Sequence, residues 1–259
     1  MSEKAENATL NRELAALKRI LNLGAQQTPP KVDRVPYIPK LHENNIRKGF
    51  FEHGEFLDVR ASLPDYLQGF VTFAYKTGWR LSEVRSLTWK QIDLEQCIVR
   101  LEPYEKKNGE ARTVYLDDEL KAIFQHLSDL RIKRQRLTPF IFPNREGTDR
   151  IGDIRKSWEK ACINAGLFCI VKDGENDRKV PARLFHDLRR TAVRNMIRAG
   201  IPERVAMAIS GHKTRSVFDR YNIVSDTDLK LAAQRQDEYL RRQMGTISGT
   251  VHEMQIKKG

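Results

Sequence analysis

Three short strings in the chain space basic and aromatic residues in a way that suits anion chemistry. In His186-Asp187-Leu188-Arg189 the histidine and arginine lie three apart where a helix begins, so both side chains share one face. The free N–H groups and the dipole of a helix start already favour a phosphate there. Gly211-His212 closes a later helix, and Tyr221 follows nine residues after the histidine. Thr77-Gly78-Trp79-Arg80, with Glu83 three residues further on, sets an arginine just past a helix end beside a carboxylate. Taken singly, each string also has an ordinary explanation: a capping histidine with a solvated arginine, a core or surface tyrosine, a helix-capping ion pair.

Taken in order, Arg80, Lys107, His186 with Arg189, Gly211-His212 and Tyr221 form a set. The strings that carry it are Thr-Gly-Trp-Arg-Leu-Ser-Glu, Lys-Asn-Gly before Arg-Thr-Val, His-Asp-Leu-Arg-Arg-Thr, and Gly-His followed by Arg-Tyr. In order and spacing they resemble the signature of the tyrosine recombinase (phage integrase) family, from about residue 46 to about residue 240. The resemblance implies a DNA breaking-rejoining catalytic domain, mainly α with a small antiparallel β-sheet. It also implies roles. Tyr221 attacks phosphorus to give a 3′-phosphotyrosine link, and His186 assists proton transfer from a phenol whose free pKa is near ~10. Arg80 and Arg189 meet the charge on the nonbridging oxygens with planar donor forks, and His212 donates a hydrogen bond to the phosphate. Lys107 is the general acid for the departing 5′-oxygen, preferred over Lys106 because it directly precedes Asn108-Gly109.

Covalent storage of the phosphodiester energy makes ATP unnecessary, and no Asp/Glu cluster suggests a two-metal site, so no cofactor and no metal are expected. Expected partners are double-stranded DNA, a homotetramer assembled on it, and accessory DNA-bending proteins; integration or excision of a mobile element is the expected task. A type IB topoisomerase-like nicking-closing enzyme shares the chemistry and would act as one protomer. A DNA-binding regulator of the same fold that does not cut is the other alternative, and a missing tyrosine would have been its sign.

The elements that must position these residues follow from periodicity and caps. Leu10, Leu14, Leu17 and Leu21 predict an amphipathic helix over 9–23, and Pro29, Pro30, Pro36 and Pro39 predict an extended linker over 24–42. The segment from Asn7 to Leu14 resembles the last helix of the family's core-binding domain, which would make residues 1–23 a remnant of a truncated domain; a helix that simply packs on the catalytic domain is the alternative. Residues 43–242 would be the catalytic domain and 243–259 a flexible C-terminal tail. Within the catalytic region, Gly78 ends a helix carrying Leu67, Phe70, Val71 and Ala74, and a short helix opens at Ser82. Residues 97–101 and 112–116 read as strands around the Asn108-Gly109 hairpin turn. Helices are expected from Asp117, over 154–165 before Gly166, and over 186–199, 202–210, 214–220 and 226–242, with Pro202 in a first helical position. Residues 167–184 read mainly as loop.

Composition bounds the function class. Of 259 residues, Lys and Arg number 46 against 34 Asp and Glu, a formal charge of +12 that argues for a polyanionic partner. Residues 178–220 concentrate it, with 11 Lys or Arg against Asp187, Glu203 and Asp219. There is no run of apolar residues long enough for a membrane span and no secretory leader pattern, which sets the expectation of a soluble, cytoplasmic protein with no membrane partner. Cys97, Cys162 and Cys169 are odd in number and lack C-x-x-C spacing, so they fit neither a disulfide framework nor a zinc site.

Overall fold

The computed structural model describes residues 6–43, 49–101, 111–133, 135, 138–173, 176–219, 221 and 226–256. The chain forms two compact units, Met1–Lys48 and Gly49–Gly259. In the first, helix α1 (Asn7–Ala25) starts two residues before the predicted start at residue 9. The prolines keep the following segment out of helix, and it doubles back along α1. Asn11 accepts from the Leu41 N–H at 2.8 Å and donates to the Leu41 carbonyl at 2.9 Å, while Asn7 donates to the His42 carbonyl. Leu17, Ile20 and Leu23 leave an apolar edge exposed.

The second unit is mostly helical. Helices α2 (His53–Ala61), α3 (Asp65–Thr77) and α4 (Leu81–Arg85) precede a three-stranded antiparallel sheet of β1 (Ile92–Asp93), β2 (Ile98–Leu101) and β3 (Arg112–Tyr115), ordered β1-β2-β3. Val99 faces Val114 and Leu101 faces Arg112, so the two predicted strands pair antiparallel, four positions off the register that a two-residue turn at 108–109 would set. The Asn108-Gly109 turn lies outside the described residues. Helices α5 (Asp118–Lys133) and α6 (Arg155–Asn164) follow, the latter closed by Gly166 as predicted.

Residues 167–184 correct the sequence reading. They form an antiparallel hairpin of β4 (Phe168–Asp173) and β5 (Asn176–Pro181), paired from Phe168↔Pro181 to Asp173↔Asn176. Its strands are largely exposed on both faces, so they carry no apolar alternation, and the polar residues around Gly174 mimic an irregular loop. Helices α7 (Asp187–Arg198), α8 (Glu203–Ser210), α9 (Arg215–Phe218) and α10 (Asp226–Ile256) complete the unit. Pro202 is the N-cap of α8 rather than its first residue. α10 continues past the predicted end at 242; no proline interrupts the sequence there, and Gly245 and Gly249 do not stop the helix.

Helix α3 is buried on most of its faces and is the centre of the core. Phe73 meets Trp79 edge-on at 5.2 Å between centroids, Phe124 and Phe142 pack around it, and Phe70 meets Phe142 edge-on. Each such side chain contributes about 1.5–3 kcal/mol through burial. A second cluster joins Ala192, Val193 and Met196 of α7 to Ala206 of α8 and Phe218 of α9, with Tyr221 packed against it. This smaller cluster holds the α7–α9 region around the tyrosine.

Candidate active site

Gly78 is the pivot of the first motif. It caps α3 in the left-handed conformation at φ 67°, where a Cβ would come within 3.0 Å of the Ala192 Cβ and 3.3 Å of the Arg189 carbonyl. Glycine therefore lets the end of α3 lie directly against α7. The buried Trp79 beside it donates its indole N–H to the Ile209 carbonyl at 2.8 Å, tying this turn to the end of α8. Arg80 then becomes the N-cap of α4, with Glu83 accepting from its backbone N–H at 2.9 Å and from its Nη1 at 3.0 Å.

His186 sits at the N-cap of α7, and Arg189 lies on the same helix face, as the three-residue spacing requires. Arg189 is 3% exposed, and its Nη1 donates to the carbonyls of Gly78 and Ser210. Asp187, also buried, accepts from the Leu184 N–H at 2.8 Å and so braces the loop before the helix. At the end of α8, Gly211 takes φ 71° and turns the chain so that His212 faces inward. His212 Nδ1 lies 2.7 Å from the Ser210 hydroxyl.

These elements converge on Tyr221. Its hydroxyl is 2.9 Å from His186 Nε2, and its ring centroid is 4.7 Å from that of His212. The Arg189 and Arg190 guanidinium carbons lie 5.7 and 5.6 Å from the tyrosine ring. Arg80, His186, Arg189, His212 and Tyr221 are thus brought together in one place from four separate segments. Lys107 and its rival Lys106 lie outside the described residues.

Among the described residues, Arg189 Nη2 and His212 Nε2 are buried at this centre with no hydrogen-bond partner. A buried polar atom left without a partner costs about 1–3 kcal/mol, and the Arg189 Nη2 donor marks a place for an acceptor. The surroundings specify its sign. Burial, and then the charges of Arg189 and Arg80, push His212 down to about 3. Burial and Arg189 likewise lower His186, and burial together with Arg80 lowers Arg189. Crowded positive charge with unused donors is built for an anion carrying several acceptor oxygens. Among the described residues no group of His, Cys, Asp or Glu is arranged to hold a metal ion.

Arg112 on β3 was missed by the motif reading, although the Arg-Thr-Val string contains it. Its guanidinium meets Glu83 through Nη2 at 2.6 Å and Nη1 at 3.2 Å, reaches the Ser210 carbonyl at 3.4 Å, and lies 5.0 Å over the Trp79 ring. Burial opposes the Glu83 charge, but the bonds from Arg112 and from the Arg80 backbone outweigh it and hold the carboxyl below its usual range. A Cβ on Gly211 would stand 2.3 Å from Arg112 Nη1, so the second motif glycine is what admits this arginine.

Residues 53–228 match the Phage integrase family. This chain belongs to that family. Among curated integrase relatives, the integrase of Salmonella phage P22 is 25% identical over 239 residues, which is 89% of this chain and 57% of that protein. The chain thus spans little more than half the length of that integrase. The tyrosine recombinase XerC of Lactobacillus leichmannii is 25% identical over 238 residues, covering 86% of this chain and 74% of XerC. Two solved structures share the integrase fold. The Tn1549 transposon integrase in complex with circular intermediate DNA aligns with a TM-score of 0.66 at 16% identity, over 89% of this chain and 80% of the other. A lambda integrase dimer bound to a core site aligns at 0.63 and 17% identity, over 84% and 74%. The mainly helical fold with a small antiparallel sheet is therefore that of tyrosine recombinase catalytic domains.

Proposed function

We propose that this integrase-family chain is a site-specific recombinase that cuts and rejoins double-stranded DNA through a 3′-phosphotyrosine intermediate, serving integration or excision of a mobile element. The observation that carries the reading is the 2.9 Å contact between the Tyr221 hydroxyl and His186 Nε2, set beside the unpartnered donor of Arg189. In the proposed step the Tyr221 oxygen bonds to phosphorus as the bond to the 5′-oxygen breaks. The phenolic proton passes to His186, which burial and the Arg189 charge favour in the unprotonated form that can accept it. Arg80 and Arg189 take the charge that grows on the nonbridging oxygens, and His212 donates to one of them. Lys107 protonates the departing 5′-oxygen. The phosphodiester energy is held in the tyrosyl link, so the reverse attack by a 5′-hydroxyl reseals a strand without ATP or metal.

Recombination exchanges strands between two duplexes and calls for a homotetramer on DNA. The exposed Leu229, Leu231, Tyr239 and Leu240 on α10 support it by offering apolar surface to a second copy. The test is a nicked suicide substrate carrying the element's own attachment site. The wild-type chain should form a protein–DNA adduct that resists denaturation, and Tyr221→Phe should bind the same DNA and form none. A full-strength adduct in the phenylalanine variant would move the nucleophile elsewhere.

A further inference from the structure

Ser210 is buried at 0% exposure at the end of α8, and its two oxygens face different duties. Its carbonyl accepts from Arg189 and Arg112. Its hydroxyl donates to the Ala206 carbonyl at 2.6 Å and also lies 2.7 Å from His212 Nδ1. A hydroxyl has one proton, so it serves one of these neighbours at a time. If the proton goes to Ala206, the imidazole must donate from Nδ1 to the serine oxygen, and Nε2 is a bare lone pair. If the proton goes to Nδ1, Nε2 carries the hydrogen instead.

The buried, unpartnered Nε2 decides between these once an anion is present. Phosphate oxygens only accept, so a lone pair aimed at them repels while an N–H attracts. We propose that Ser210 is a positioning residue that, when phosphate binds, turns its proton from the Ala206 carbonyl to Nδ1 and so fixes His212 as its Nε2–H tautomer, able to donate to the phosphate. This rests on the phosphate reading of the site given above. The choice is one of tautomer and not of charge, since burial, and then the cations around His212, keep the ring neutral. The serine hydroxyl thereby joins the turn that holds Arg189 to the proton that His212 presents, through one residue.

Two measurements test it. In single-turnover adduct formation, Ser210→Ala should slow the reaction roughly tenfold, a fraction of the roughly 10²–10³ that one lost oxyanion donor costs. Ser210→Thr, which restores the hydroxyl, should recover most of the rate. In a His212→Phe background, Ser210→Ala should change the rate by less than about twofold, because the residue it acts through is gone. An equal loss in both backgrounds, or no loss in the wild-type background, would overturn the proposal. The second measurement is independent of turnover: nitrogen NMR of histidine-labelled Tyr221→Phe protein on an intact duplex site, with the His212 signal assigned by His212→Phe. The expected spectrum has the proton on Nε2, shifting to a mixture of tautomers in Ser210→Ala; a proton on Nδ1 in the complex would refute the assignment. A wild-type chain that forms no adduct would overturn the recombinase reading instead, and the imidazole spectrum would still decide the tautomer.

Discussion

Replacing Arg189 with lysine should separate two duties that one guanidinium performs. Nη1 holds the Gly78 and Ser210 carbonyls, and Nη2 is the unpartnered donor beside Tyr221. Lysine keeps the charge but ends in one nitrogen, which cannot grip two carbonyls and also present a second donor in a fixed plane. If the ammonium stays with the carbonyls, the phosphate loses a donor, and adduct formation should fall by roughly 10²–10³. Stability should suffer less. Ser210 keeps its 3.4 Å contact from Arg112, so at most one buried carbonyl goes unserved, a cost of about 1–3 kcal/mol. Single-turnover cleavage and urea denaturation of the same preparation read the two quantities. A lysine variant that cleaves within about threefold of wild type would show that the second nitrogen meets no developing charge, and Arg189 would be a structural clasp alone.

Gly211→Ala should cost about 3 kcal/mol or more: a left-handed alanine costs about 1–2, and the added Cβ, 2.3 Å from Arg112 Nη1, would pry apart a buried ion pair worth about 3–5 when broken. A denaturation midpoint equal to wild type would refute that packing. Acid should destabilise the protein through His212: unfolded, it binds a proton near about 6.5, but folded only near about 3, so the unfolded state holds more protons between those values. Stability should therefore fall as pH drops from 6.5 to 5, by up to about 1.4 kcal/mol per unit for this group, and His212→Asn should flatten the slope. Parallel slopes in the two proteins would argue against a buried neutral imidazole. Lys107→Ala should cut ordinary DNA very slowly yet cut a strand with sulfur at the 5′-bridging position at near the wild-type rate, since a thiol of pKa about 8.5 leaves with little help. Equal defects on both substrates would reduce Lys107 to a DNA contact, and rescue in Lys106→Ala would shift the acid by one residue.

What was legible in the sequence was local. The Gly78 and Gly211 caps, the His186–Arg189 spacing and the existence of strands β2 and β3 each depend on residues within a turn or a short run, and the structure keeps all of them. The hairpin at β4–β5 was hidden because exposed strands need no apolar alternation. Arg112 and Ser210 were hidden for a different reason. Their contact spans 98 positions, and the Arg189 bond to Gly78 spans 111, so no spacing rule connects them. A signal did exist: Arg112 stands in the Arg-Thr-Val string and Ser210 directly precedes Gly-His. Only packing around α3 and α7 shows that those neighbours hold the motif strings in place with their side chains and carbonyls.

The central claim is that Tyr221 becomes covalently joined to a DNA 3′-phosphate. Proteolysis of the adduct trapped on a nicked attachment site, followed by mass spectrometry of the peptide left on the DNA, tests it most directly. The account predicts a single modified peptide containing Tyr221, with the nucleotide attached through its 3′-phosphate and a free 5′-hydroxyl on the other strand end. A link to another residue, or a 5′-phosphate on the tyrosine, would contradict it.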